Sequence, residues 1–270
     1  MNKEEPMRTI VITGSTKGIG FGLAESFLAR GCQVVVSGRF QPDVDKTVGT
    51  LAERFDADQI FGLACDVSKF EQVQNLWDTS LARFGQVDVW INNAGQAQSI
   101  EQFWSLPAEL MESVVQTNIL GQMYGAKVAV TGMLEQGFGA LYVMEGKGSR
   151  GDVQPGMSLY STTKRAGNYL FYALVKELEG TPVLVGSISP GMVVTDLLNQ
   201  QKAAHPENWE QTKKIFNILA DKVETVTPWI ADRILANQEH GVQIRWLNRA
   251  KVMWRFLSAA WKKRDLFEDL

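Results

Sequence analysis

Apolar residues fall in short blocks along this chain, and the stretches between the blocks have a different period. "TIVIT", "QVVVSG", "IFGLACDV", "VDVWINNAG", "GALYVMEG", "VLVGSISPG" and "GVQIRWL" are near-continuous apolar runs bounded by glycine or polar residues. Runs of that length predict strands buried on both faces. Between them lie stretches with helical spacing, such as residues 21–30 and 71–84. Regular alternation of this kind predicts βαβ units. The expected fold class is α/β, a Rossmann-type doubly wound parallel sheet of about seven strands with helices on both faces. No linker, repeat or low-complexity segment interrupts the pattern, so residues 1–270 are expected to form a single domain. One long stretch, residues 195–226, lies between the last two strand runs. It is polar and then helical, placed where a substrate lid would lie.

Composition narrows the function. The 270 residues are 45% hydrophobic and 21% charged, which suits one large globular unit with a full core. A net charge of −3 argues against a nucleic-acid partner. Cys32 and Cys65 are the only cysteines, so a disulfide framework is not expected and a reducing, cytoplasmic setting fits. With His205 and His240 the only histidines, no cluster has metal-ligand spacing. Residues 1–6 are polar and acidic, unlike a signal peptide, and no run of 18 apolar residues is present to span a membrane.

The first strand run leads into "TGSTKGIGFGLAESFL", a glycine-rich turn and then a helix. Gly14 permits a tight turn, and Gly18 and Gly20 let backbone approach a pyrophosphate at the helix N-terminus. Ser15, Thr16, Lys17 and Ile19 complete the turn. A plain βα turn can share the pattern, but the strand before and the helix after supply the context a dinucleotide site requires. The second run ends "VVVSGRF", with Ser37 and Arg39 where an NAD site usually places an acid. Two cations, Lys17 and Arg39, and a hydroxyl beside the adenosine ribose suit a 2′-phosphate, so NADPH is the expected cofactor. The alternative is that both cations are solvated surface charges.

Tyr160 and Lys164 stand four apart on a predicted helix and share a face. A phenol ordinarily titrates near ~10, and a nearby ammonium favours its anion. Such a Tyr can give a proton to a carbonyl oxygen, or take one in the reverse direction. The spacing alone is common.

In order, "TGSTKGIG", Asp66 in "CDV", "NNAG", Asn118 in "QTNILG", "YSTTK" and "SPGMVVT" resemble the short-chain dehydrogenase/reductases over about residues 8–195. The resemblance implies catalytic roles for Tyr160, Lys164 and Asn118, the last holding a water in a proton relay behind Lys164. It also implies that Lys164 reaches the nicotinamide ribose. Asp66 is implied at the adenine with Val67 beside it, Asn93, Ala94 and Gly95 along the cofactor, and Pro190, Gly191, Val193 and Thr195 flanking the nicotinamide. Asn118 could instead be a helix-kink or capping residue. A homo-oligomer is implied as well.

One position departs from the family. The usual Ser, 13 residues before the Tyr, is Lys147 here, and Ser149 comes two residues late. "MEGKGSRG", "SPGMVVTDLL", "KKIFNILADKVETV" and the basic aromatic tail resemble the chlorophyll(ide) b reductases. That resemblance implies reduction of the C7 formyl group of a chlorophyll-type tetrapyrrole. Tyr160, with Ser149 or backbone N–H groups near Gly148, is then expected to hold the carbonyl oxygen. A reductase for another bulky lipophilic carbonyl, or a non-catalytic NADPH-binding sensor, are the alternatives.

The tail, residues 241–270, opens with seven basic residues and no acid up to Arg264. Met253, Phe256, Leu257 and Ala260 can share a helix face, with Trp246, Trp254 and Trp261 nearby. Such a segment suits peripheral contact with a membrane surface or a lipophilic pigment. It equally suits a C-terminal helix packed on the core or on a second subunit.

Overall fold

In the computed structural model, residues 7–194, 209–259, 261 and 264–267 are described. Each of the seven apolar runs contains a strand: β1 (Thr9–Ile12), β2 (Gln33–Gly38), β3 (Ile60–Ala64), β4 (Val89–Asn92), β5 (Gly139–Met144), β6 (Val183–Ser189) and, near the C-terminus, β9 (Val242–Arg245). They pair in the order β3-β2-β1-β4-β5-β6-β9, and every pairing in this sheet is parallel. Both faces are covered, as parallel strands require. Alternate residues of β1 serve the two sides. Ile10 and Ile12 pack with α1 (Gly18–Leu28), α2 (Gln41–Ala52) and α8 (Val223–Leu235), whereas Val11 packs with α3 (Phe70–Phe84), α5 (Gly121–Gln136) and α6 (Ser158–Glu177). Fully buried residues such as Phe27, Leu76 and Phe171 each contribute about 1.5–3 kcal/mol of transfer free energy.

The order reverses between β1 and β4. The chain runs outward from β1 to β2 and β3, then returns to β4 on the other side. Ligand sites in open parallel sheets form at such a switch point, beyond the carboxyl ends of the strands.

Two elements carry no apolar run. Strands β7 (Val193–Val194) and β8 (Asp221–Lys222) form a separate two-stranded parallel sheet. Between them in sequence lies α7 (Trp209–Leu219). The expected lid at 195–226 is therefore helix and short strand from residue 209 onward, and its first part, with Thr195, lies outside the described residues.

The tail folds as α9 (Arg249–Ser258). Its orientation settles half of the sequence question. Arg255 turns inward to Asp221 at 2.5 Å and to the carbonyl of Leu219 at 2.6 Å. Arg264 joins it, 2.8 Å from Asp221. Trp246 Nε1 donates to the same carboxylate at 2.5 Å. Met253, Trp254, Phe256 and Leu257 face outward and are more than half exposed. The apolar face of α9 is thus not the one that docks on the core, and Ala260 lies outside the described residues. No described helix is long and apolar enough to cross a membrane.

Candidate active site

The glycine turn is built by close contact with the loop after β4. Gly14 has φ of 63°, and a Cβ there would come within 2.8 Å of Ala94 Cα. A Cβ on Gly20 would lie 2.3 Å from the Gly14 carbonyl oxygen and 2.6 Å from Asn93 Nδ2. Asn93 Nδ2 donates to the carbonyls of Thr13 and Gly14, at 2.9 and 2.8 Å. The Thr13 hydroxyl accepts from the N–H groups of Asn93 and Ala94, both at 3.0 Å. Asn92 faces the other way. Its amide accepts from Trp90 Nε1 at 2.9 Å and donates to the Gln122 carbonyl on α5 at 2.9 Å. The "NNAG" stretch therefore ties the turn to α5, and the Asn93 side chain acts as a brace within the protein.

Helix α1 starts at Gly18, and Lys17 supplies no side-chain cap. Its first-turn amides are left for an outside acceptor, which favours an anion. This cradle, closed to any side chain at Gly14 and Gly20, fits a dinucleotide pyrophosphate. Thr16 packs on Gly38, where a Cβ would lie 2.6 Å from Thr16 Cγ2. Lys17 and Arg39 flank that contact, both exposed, with Arg39 over the Phe40 ring at 5.6 Å. Ser37 corrects the sequence reading. It is fully buried, its hydroxyl donates to the Ile12 carbonyl at 3.3 Å, and its N–H is held by Ser15 Oγ at 2.9 Å. Ser15 is likewise buried and donates to the Ile12 carbonyl at 2.8 Å. Both hydroxyls shape the turn from behind, so the Ser37 side chain offers nothing to a ribose.

Asp66 lies just past β3. Its carboxylate accepts from Ser68 N–H and Oγ at 3.0 and 2.8 Å, and Val67 beside it is buried. Just past β6, Pro190 is buried and Gly191 has φ of 76°, and a Cβ on Gly191 would lie 2.8 Å from Leu247 Cδ1. Val193 forms β7, braced by the Asp221 N–H to the Met192 carbonyl at 3.0 Å.

Asn118 sits in a π-helical turn, Gln116–Leu120, between α4 (Ala108–Val115) and α5. Such turns are rare and concentrate at functional sites. The side chain is fully buried and engaged. Oδ1 accepts from Gln96 N–H at 2.7 Å, and Nδ2 donates to the Gln96 carbonyl at 2.8 Å and to Thr163 Oγ1 at 3.0 Å. It links the loop after β4 to α6. Both Nδ2 hydrogens are thereby used, and Oδ1 keeps one acceptor site.

Helix α6 carries Tyr160 and Lys164. Lys164 is buried, and its Nζ donates to the Met144 carbonyl at 3.2 Å and lies 5.7 Å from the Tyr160 ring centroid. A Cβ on Gly95 would stand 3.5 Å from Asn118 Oδ1 and 3.6 Å from Lys164 Nζ, so these groups converge on one glycine. Burial pushes the Lys164 ammonium down to about 8, with the Glu145 charge opposing it. Burial also pushes the Tyr160 phenol up to about 12. The sequence argument expected the ammonium to favour the phenolate. Desolvation outweighs it, and Tyr160 is held as a neutral phenol, the form that donates a proton.

The wall opposite Tyr160 is glycine. A Cβ on Gly146 would fall 2.3 Å from the phenol oxygen and 3.2 Å from Lys164 Cε. Gly148, with φ of 89°, packs on Ser161, whose Cβ would be 2.4 Å from an added one. Lys147, at the position of the usual Ser, points to Asp152 in an ion pair of 2.6 Å. Ser149 is buried, and its hydroxyl accepts from the Gly146 N–H at 3.0 Å. That contact uses the Ser149 hydroxyl as an acceptor and does not occupy its O–H hydrogen.

Sequence reasoning missed Gln98. Its amide donates to the Gly156 carbonyl and accepts from the Tyr160 N–H, both at 2.9 Å, so it sets the start of α6. Only its place shortly after "NNAG" hinted at this.

A doubly wound parallel sheet with a dinucleotide cradle at its switch point, and a Tyr–Lys pair facing that cradle's loop, defines a nicotinamide-type oxidoreductase fold and site. The model of the short chain dehydrogenase family matches residues 8–206. The chain belongs to that family. It is 35% identical over 268 residues to the chloroplastic chlorophyll(ide) b reductase NOL of Arabidopsis thaliana, covering 95% of this chain and 75% of the relative. It is 30% identical over 279 residues to a probable chloroplastic chlorophyll(ide) b reductase of the same plant, covering 97% of this chain. The match spans 55% of that longer relative. Among solved structures, an actinorhodin polyketide ketoreductase with NADPH superposes with a TM-score of 0.79 at 26% identity, covering 89% of this chain and 95% of the other. ElxO with NADP bound gives 0.78 at 24% identity, covering 88% and 96%, a likeness of fold.

Proposed function

We propose that this protein reduces the C7 formyl group of chlorophyll b or chlorophyllide b to a hydroxymethyl group, with NADPH as cofactor. The observation that carries the reading is the glycine wall. Next to the position of the family's usual Ser, which is Lys147 here, Gly146 sets backbone against the Tyr160 phenol with no room for a Cβ. Glycine backbone on that side sets no side chain between the phenol and an aldehyde carried on a flat macrocycle. Relatives named chlorophyll(ide) b reductase, similar over nearly the whole chain, support the same substrate class. The exposed cations Lys17 and Arg39 support a cofactor with a 2′-phosphate.

When bound, NADPH supplies the hydride. The chain's residues manage the oxygen. Tyr160, neutral at physiological pH, donates its proton to the carbonyl oxygen as negative charge develops there. Lys164, anchored on the Met144 carbonyl, stabilises the phenolate left behind. Asn118 and Gln98 hold the two ends of this arrangement, one against Thr163 and the other against the Tyr160 N–H.

The test is incubation with NADPH and chlorophyllide b, following the pigment's absorption spectrum. One hydroxymethyl product should form per NADPH oxidised. Tyr160→Phe should lower the rate by about 10²–10⁴ with NADPH binding retained. No spectral change under conditions where the protein oxidises NADPH with other aldehydes would refute the substrate and keep the reaction class.

A further inference from the structure

The wall that lacks a Ser contains a buried acid. Glu145 follows Met144, the last residue of β5, whose carbonyl anchors Lys164. Its N–H continues the sheet to the Ile188 carbonyl at 2.8 Å, and its side chain turns under the loop. The carboxylate is 3% exposed and accepts from Arg150 Nη2 at 2.7 Å, Ser187 Oγ at 3.0 Å and Asn168 Nδ2 at 3.4 Å. Asn168 stands one helical turn beyond Lys164 on α6. A buried ion pair is weak evidence for stability, since an apolar pair of the same volume often serves as well. Glu145 shares its peptide bond with the Met144 carbonyl that anchors Lys164, and its carboxylate meets Asn168 one turn along the same helix.

We propose that Glu145 is a positioning residue for Lys164. Its carboxylate keeps the ammonium charged inside a dry site, and Arg150 moderates that effect by neutralising part of the carboxylate. The proposal rests on the reading of Tyr160 and Lys164 as the reacting pair. The charged and titratable groups around Lys164 are few among the described residues. Tyr160 lies on its own helix, Glu145 at the end of β5 and Arg150 in the loop above it. Arg165, next on α6, is turned to the Ser149 carbonyl at 3.1 Å and to Asn168 Oδ1 at 3.3 Å. Lys147 is paired outward with Asp152. The π turn contributes Asn118, the loop after β4 contributes Gly95, and β6 contributes Ser187, all uncharged. Glu145 is therefore the acid that opposes the burial of Lys164.

Two substitutions move the ammonium in opposite directions. Glu145→Gln keeps the shape and hydrogen-bonding capacity but removes the charge, so Lys164 loses its proton at lower pH. Arg150→Gln unmasks the carboxylate and removes a cation, so Lys164 keeps its proton to higher pH. The measurement is a pH titration of the Lys164 side-chain carbon resonance in protein carrying ¹³C-lysine, assigned with Lys164→Arg. Glu145→Gln should lower the midpoint by about one unit and Arg150→Gln should raise it by a similar amount. The alkaline limb of kcat should follow in each variant. Midpoints that stay put, or that move together in one direction, overturn the proposal, because loss of loop structure alone cannot give opposite shifts. If Glu145→Gln does not fold, Arg150→Gln decides alone, and an unmoved midpoint there refutes the idea. The titration needs no substrate, so failure to reduce chlorophyllide b counts against the proposed substrate and not against this role.

Discussion

At the scale of single residues, the site depends on what is absent from Gly146. An added methyl would meet the Tyr160 oxygen at 2.3 Å, nearer than any real contact, so phenol or loop must move. Displacement by about 1 Å is enough to cost roughly 10²-fold in a positioned reaction. Gly146→Ala should therefore lower kcat by about that factor, while the Kd for NADPH, read by fluorescence titration, stays within about twofold because the cradle lies on β1 and α1. A fully active Gly146→Ala would mean the wall is not where the substrate carbonyl sits. The sequence showed Tyr160, Lys164 and the gap left by the missing Ser, because those are matters of residue type and spacing. It could not show that Ser37 turns inward. A hydroxyl at the end of a strand reads the same whether it faces a ligand or the Ile12 carbonyl, and only the register of β2 against β1 decides.

At the scale of elements, Asp221 organises the least regular part of the molecule. It opens β8, receives Trp246, Arg255 and Arg264, and through its N–H braces the segment that leads to Val193. The carboxylate is buried, so removing it takes away the acid that pairs with Arg255 and Arg264. Breaking a buried pair in this way costs about 3–5 kcal/mol. Asp221→Ala should lower the thermal midpoint accordingly in a melting experiment, and should raise susceptibility to proteolysis beyond residue 245. An unchanged melt would show that α9 is held by other contacts. The seven long strands were legible because each is an apolar run of adequate length. Strands β7 and β8 were not, since two residues carry no period. The shared apolar face of α9 was visible in sequence, but its direction was not. That direction depends on an acid more than thirty positions upstream of Arg255, a pairing that spacing cannot reveal.

At the scale of the whole molecule, the same dry interior that seats the catalytic pair makes stability depend on alkaline pH. Burial pushes the thiols of Cys32 and Cys65 up to about 11 and about 12, and the phenols of Tyr142 and Tyr160 up to about 12. Each of these groups keeps its proton when folded and gives it up earlier when unfolded. Their stabilisation is complete below the unfolded values, 9.0 for the thiols and 10.0 for the phenols, and is lost as pH rises through the folded ones. Lys164 works the other way. Its folded value of about 8 lies below the unfolded 10.5, so its burial costs stability at neutral pH and that cost fades between the two. Four groups against one predicts a net fall above about pH 9, steepening once the phenols join, with each unit of separation equivalent to about 1.4 kcal/mol. Urea unfolding between pH 7 and 11 should show the decline. The double variant Cys32→Ala/Cys65→Ala should start lower, because two core side chains are shortened, yet should show no decline between pH 9 and 10, where the thiols alone lower stability and Lys164 opposes them. Parallel curves for wild type and double variant would place the alkaline sensitivity elsewhere in the fold.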